Sequence, residues 1–155
     1  YFEKTIIFIG KLISLMIPVM TLLMIAVIIA RYFFGIGLTG VQELIMYIHA
    51  LIFLGCAGFV HLKDEHVRVD IFYRESKDAY KHNTNFILSF LFLIPVCFVI
   101  GFYSLELIEM SWKIKEASTE AGGLKFVYVQ KSLIILFPLT LMLTFAYQLL
   151  DKKWK

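Results

Sequence analysis

Four stretches of this chain are almost free of charge, and each is long enough to cross a lipid bilayer. Residues 12–30, 86–105 and 133–150 contain no Asp, Glu, Lys or Arg, and within residues 44–60 the one acidic or basic side chain is His49. In a helix rising ~1.5 Å per residue, about 18–20 residues cover the ~30 Å hydrocarbon core. A water-soluble bundle would need a polar face on every helix, and these runs have none. The composition agrees, with 60% hydrophobic residues and a mean hydropathy of +0.80. The chain therefore reads as an all-α integral membrane protein, a single domain over residues 1–155. Transmembrane helices are expected at about 10–31, 41–61, 85–106 and 130–150.

Lys and Arg set the orientation. With four spans, Lys4, Lys11, the five basic residues of the loop at 63–81 and the three of the tail fall on one side, ten in all. Arg31, Lys113, Lys115, Lys125 and Lys131 make five on the other. Both termini are expected in the cytoplasm. The net charge of +3 is spent on these topology signals, so no nucleic-acid partner is expected. The first apolar run lacks a small-residue cleavage site and reads as an anchor rather than a signal peptide. Cys56 and Cys97 lie in different spans at different depths, which argues against a disulfide.

Local signals organise the helices. Pro18, Pro95 and Pro138 each predict a bend. Gly35 and Gly37 should end the first span. Thr39 and Gln42 fit a capping box for the second, with Glu43 in its first turn, at the positive end of the helix dipole. Gln42, His49 and Cys56 recur every seven residues, with Gly55, Ala57 and Gly58 alongside. Thr140, Thr144 and Gln148 recur every four in the last span. Small and weakly polar residues at such spacings make packing seams in lipid. Trp112 and Trp154 sit where interfacial anchors belong.

The stretch HLKDEHVRVDIFYRE, residues 61–75, crowds nine charged or His side chains into a mostly apolar chain. As a metal site it would offer His61, Asp64 or Glu65, and His66, a spacing that fits no zinc pattern and is opposed by Lys63 and Arg68. As an acid–base pair, His66 and Asp70 lack a nucleophile and a pocket. The architectural reading is stronger. Asp70 caps a short amphipathic helix over about 70–82, with Arg74, Lys77 and Lys81 on one face toward the headgroups of membrane lipids.

Three blocks together resemble the small four-helix subunit, the Q subunit, of tripartite ATP-independent periplasmic (TRAP) transporters. They are RYFFGIGLTGVQELIMYIHALIFLGCAG, HLKDEHVRVDIFYRE and EASTEAGGLKFVYVQKSLI. The resemblance covers nearly the whole chain and is nearest the branch labelled for mannitol and chloroaromatic compounds. It implies a bacterial inner-membrane location and two partners, a large membrane subunit bound one-to-one and a periplasmic substrate-binding protein. It also implies a role in bracing the large subunit while that subunit moves an organic acid with sodium. No catalytic residue, metal or cofactor is expected.

The expected partner contacts are Gln42, Glu43 and His49 on the second span, His66, Arg68 and Asp70 in the charged stretch, and Glu120, Gly122, Gly123 and Lys125 in the STEAGGLKF loop. In that loop the glycines permit a turn, and Glu120 and Lys125 are the exposed charges. Two other classes compete. A membrane cytochrome or quinone-linked redox anchor would want axial ligands from two spans, and only His49 lies within one. A small dimeric exporter would depend on Glu43 as its membrane carboxylate.

Overall fold

The computed structural model describes residues 2–66 and 78–151, and every regular element among them is helical. Four helical rods are long and apolar enough to cross a membrane: Glu3–Phe34, Thr39–Lys63, Asn83–Ile114 and Val127–Leu150. The chain is therefore a multi-pass membrane protein with four spans. Spans one and three continue past the uncharged runs, each reaching 32 residues.

Each proline leaves a distinct irregularity on its N-terminal side. The ring removes one N–H and crowds the carbonyl four residues earlier. Span one is accordingly split into α1 (Phe2–Ser14) and α2 (Met16–Phe34), with the break at Leu15 just ahead of Pro18. Ahead of Pro95, a π turn at Ser89–Leu93 joins α5 (Asp78–Leu88) to α6 (Ile94–Ile114), and the Ile94 N–H reaches back five residues to the Ser89 carbonyl. Ahead of Pro138, a 3-10 turn at Leu133–Ile135 separates α7 (Val127–Ser132) from α8 (Leu136–Asp151).

Span two has no proline, yet it is interrupted at Cys56 between α3 (Thr39–Gly55) and α4 (Ala57–Lys63). The polar seam of span four repairs the gap. The Gly58 N–H donates to Thr140 Oγ1 at 3.3 Å, and Thr144 Oγ1 donates to the Gly58 carbonyl at 3.0 Å. In hydrocarbon a broken backbone persists only where such partners exist. The approach is so close that a Cβ on Gly58 would meet the Thr140 carbonyl carbon at 2.6 Å. The two small-residue seams thus pack on each other.

Span two and span four form the centre. In their most apolar windows 28% and 33% of residues are buried, against 6% for spans one and three. Span one closes on the centre through Gly10, which faces Phe59 and accepts from the Cys56 thiol at 3.7 Å. Span three closes on it through Cys97, which joins Ala57 and Leu141 in one buried cluster. Ile6, Val27, Ile45 and Phe145 are buried as well, while many of the other large apolar side chains are exposed, as lipid or a protein partner requires.

The helix ends correct two expectations. Gly35 does end span one, in the left-handed conformation at φ 67°, with Ile36 N–H bonded to the Ala30 carbonyl. The residue at the N-cap of α3 is Leu38, however, and no side chain caps it. Thr39 is already the first helical residue, so the Thr39–Gln42 capping box does not form. Glu43 consequently lies beyond the first turn, and the helix dipole does not explain it. The interfacial helix expected over 70–82 lies mostly outside the described residues. Its last part belongs to α5, which runs on into span three.

Candidate functional site

At the end of the bundle that carries the two short connections, residues 115–126 fold into a tight loop between α6 and α7. Lys115 begins it in a left-handed conformation at φ 49°. Ser118 N–H donates to the Leu124 carbonyl at 2.9 Å, and Gly123 N–H to the Glu120 carbonyl at 3.0 Å. Gly122 turns the chain at φ 76°, a region that side chains disfavour.

Glu43 holds this loop from across the bundle. It is 7% exposed, and both of its carboxyl oxygens are used. Oε1 accepts from the Ser118 hydroxyl, and Oε2 accepts from the Leu124 backbone N–H at 2.6 Å. Ser118 Oγ in turn accepts from the Glu120 N–H at 3.1 Å. Close backbone approach makes the contact possible. A Cβ on Gly123 would lie 2.6 Å from Ser118 Cβ and 2.7 Å from Glu43 Oε1, and one on Gly40 would lie 3.0 Å from the Gly122 carbonyl oxygen.

A second clamp seals the other side of the loop. Glu116 Oε2 accepts from Lys131 Nζ at 2.5 Å and from Ser111 Oγ at 2.6 Å. Those two hydrogen bonds, Lys131 first, hold its carboxyl below the ordinary carboxylate range. Trp112 Nε1 donates to Ser132 Oγ at 2.8 Å, and the Lys115 ammonium lies over the Trp112 and Tyr128 rings, 4.5 and 5.1 Å from their centres. Trp112 therefore anchors the ends of two spans to each other, in addition to any interfacial role.

The expected contact residues divide into three groups. Gln42, Glu43 and Glu120 come together around a cavity of about 550 Å³, and Gly122 and Gly123 complete the adjoining turn. Lys125 is exposed beside them. His49 stands apart, exposed on the outer surface of α3 and stacked at 6.3 Å on Phe53. The seven-residue stripe is therefore not one seam, because Cys56 at the break turns toward Gly10 while His49 faces out. His66 is exposed at the opposite end of the bundle, its ring 5.9 Å from that of His61. Arg68 and Asp70 lie outside the described residues.

Sequence reasoning missed Ser118 and the Leu124 N–H as partners of Glu43, and Ser111 as a partner of Glu116. A buried carboxyl at the mouth of a span was the available signal, since such a group must find donors somewhere. Among the described residues no three His, Cys, Asp or Glu side chains converge as metal ligands would.

No curated protein and no solved structure matched the chain. Residues 20–152 match the family described as tripartite ATP-independent periplasmic transporters, DctQ component. That is a transporter component rather than an enzyme family, and it works beside a large membrane subunit and a periplasmic binding protein. With four spans in place and most of the sequence matched, the chain belongs to the DctQ family, the small membrane subunit of TRAP transporters.

Proposed function

We propose that this chain is the static brace of a TRAP transporter in the bacterial inner membrane, and that it grips the large subunit with the outer face of α3. The observation that carries this reading is His49. It lies ten residues into span two, about 15 Å from the start of the helix and so near the middle of the hydrocarbon. It is exposed there, beside Met46 and Phe53, which are exposed too. Ionisable side chains within a membrane face protein or water, because acyl chains offer no hydrogen-bond partner. A helix of the large subunit carrying an acceptor or donor at this depth supplies what His49 lacks. Around it, the Met46 and Phe53 side chains add an apolar contact.

Among the described residues, no Asp, Glu, Lys or Arg lies within the four apolar runs, and bracing follows from the bundle's construction. The loop clamps at Glu43 and Glu116 and the Thr140–Thr144 repair tie spans two, three and four together, and Gly10 packs span one onto Cys56 and Phe59, which enlarges whatever part of the complex stays still. Substrate movement is assigned to the large subunit. An organic acid delivered by the binding protein and coupled to sodium is what the family resemblance suggests, and the charge count favours both termini in the cytoplasm.

Co-purification from native membranes in mild detergent tests the docking face. His49→Leu should lower recovery of the large subunit about tenfold, whereas His49→Gln, which keeps a hydrogen-bonding group, should retain most of it. Phe98→Leu, on the outer face of span three, serves as the control. Full recovery with His49→Leu would sink the reading.

A further inference from the structure

A second cavity, of about 720 Å³, opens at the other end of the bundle, between α4, the π turn, α6 and α8, with α1 at its rim. None of its lining residues belongs to α3, so it is separate from the His49 face. Its walls run from Asn85 to Cys97 on span three and from Phe137 to Gln148 on span four. At helical rise these stretches are about 16–18 Å long. The cavity is a groove rather than a round pocket.

Its polarity changes along that length. Lys63, Asp64 and His66 line the outer end, together with Asn85, while Phe92, Val96 and Phe137 line the inner end. Phe92 and Val96 are also exposed to the outside, so the apolar end is continuous with the surrounding lipid. The π turn caused by Pro95 forms part of the wall through Ser89 and Leu93. Such turns widen a helix locally and often occur at binding sites.

One polar group in the groove lacks what it needs. Gln148 is 7% exposed, and its Oε1 is fully buried with no hydrogen-bond partner among the described residues. An orphaned buried acceptor costs about 1–3 kcal/mol, and a donor from a bound molecule removes that cost. From these observations we propose that the groove binds one phospholipid with a zwitterionic, amine-bearing headgroup. An acyl chain lies along Phe92, Val96 and Phe137, the phosphate faces Lys63 and His66, and the ammonium faces Gln148. The Gln148 carboxamide oxygen accepts from the headgroup. A headgroup without a donor would leave the Gln148 oxygen unpaired, and a soluble metabolite would leave the apolar end unfilled.

The test uses the chain purified from its own membranes in mild detergent with whatever accompanies it, followed by native mass spectrometry. One phosphatidylethanolamine should stay bound to each copy. Ser89→Trp, which fills the groove, should lose it, while Leu91→Trp, on the exposed outer side of the same turn, should keep it. After delipidation, Gln148→Leu should rebind phosphatidylethanolamine from vesicles about tenfold more weakly than the parent chain, and soluble glycerophosphoethanolamine should not compete. The proposal fails if Ser89→Trp retains as much lipid as the parent, or if Gln148→Leu rebinds equally well. Preferential retention of phosphatidylglycerol would overturn the headgroup assignment. Competition by the soluble headgroup would overturn the assignment to a membrane lipid.

Discussion

Glu43, five residues into α3, takes the backbone N–H of Leu124 at 2.6 Å from a loop 81 residues further along the chain. Together with the Ser118 hydroxyl on its other oxygen, this contact fixes the connection between spans three and four to the mouth of span two. The carboxyl on which an exporter would depend is an internal tie.

Removing that tie should cost stability rather than solubility. Glu43→Ala leaves the Leu124 N–H and the Ser118 hydroxyl without their acceptor, a loss of about 1–3 kcal/mol. Glu43→Gln keeps one acceptor oxygen and should lose less. Thermal unfolding in detergent measures both, and an unchanged midpoint for Glu43→Ala would show that the loop is held by something else.

Gly123 is where the loop passes closest to Glu43. The Cβ of Gly123→Ala would meet Ser118 Cβ at 2.6 Å and Glu43 Oε1 at 2.7 Å, so the loop must move outward. Overpacking of this kind costs about 1–3 kcal/mol. The double variant with Glu43→Ala should lose clearly less than the sum of the two, because both break the same contact. Additive losses in a double-mutant cycle would count against the coupling.

The repair at Cys56 makes a smaller prediction. Thr144→Val keeps the shape and removes the hydroxyl that donates to the Gly58 carbonyl. Interhelical hydrogen bonds in membranes average about 0.6 kcal/mol and reach about 1.7. Gly58→Ala should cost more, since its methyl group would push spans two and four apart. A Gly58→Ala protein as stable as Thr144→Val would refute the close approach.

Glu116 carries the pH dependence. Its folded pKa lies below the ordinary 4.5 because Lys131 and then Ser111 hydrogen-bond the charged form. The unfolded chain therefore takes up the proton first. The clamp contributes fully above the ordinary value, and its contribution is lost as the pH falls through the lowered folded one. Between neutral pH and strong acid, the unfolding midpoint should drop more steeply for the parent chain than for Glu116→Gln. Parallel curves would dismiss the clamp.

Much of the fold is legible in the residues themselves. Uncharged runs of bilayer length can do little else but span, and each proline announces an interruption on its N-terminal side. The seams were legible as compositions, Gly55–Gly58 in one span and Thr140–Thr144 in another, but not as a pair. Their pairing is a long-range choice that no local spacing encodes. Glu43 shows the same limit more sharply. Thr39, Gln42 and Glu43 form a sound local capping pattern, yet Leu38 takes the cap position and Glu43 finds its donors in a loop from the far half of the chain. His49 and Cys56 share a seven-residue period that holds only along an unbroken helix, and the interruption at Cys56 ends it.

That interruption also bears on how the protein is made. In the folded chain, the hydroxyls that complete the span-two backbone at Gly58 belong to residues 82 and 86 positions later. Until the last span arrives, those hydroxyls are absent. The second span should therefore reach its final form only when the fourth is inserted, and a chain truncated before Thr140 should leave it more open to quality-control proteolysis.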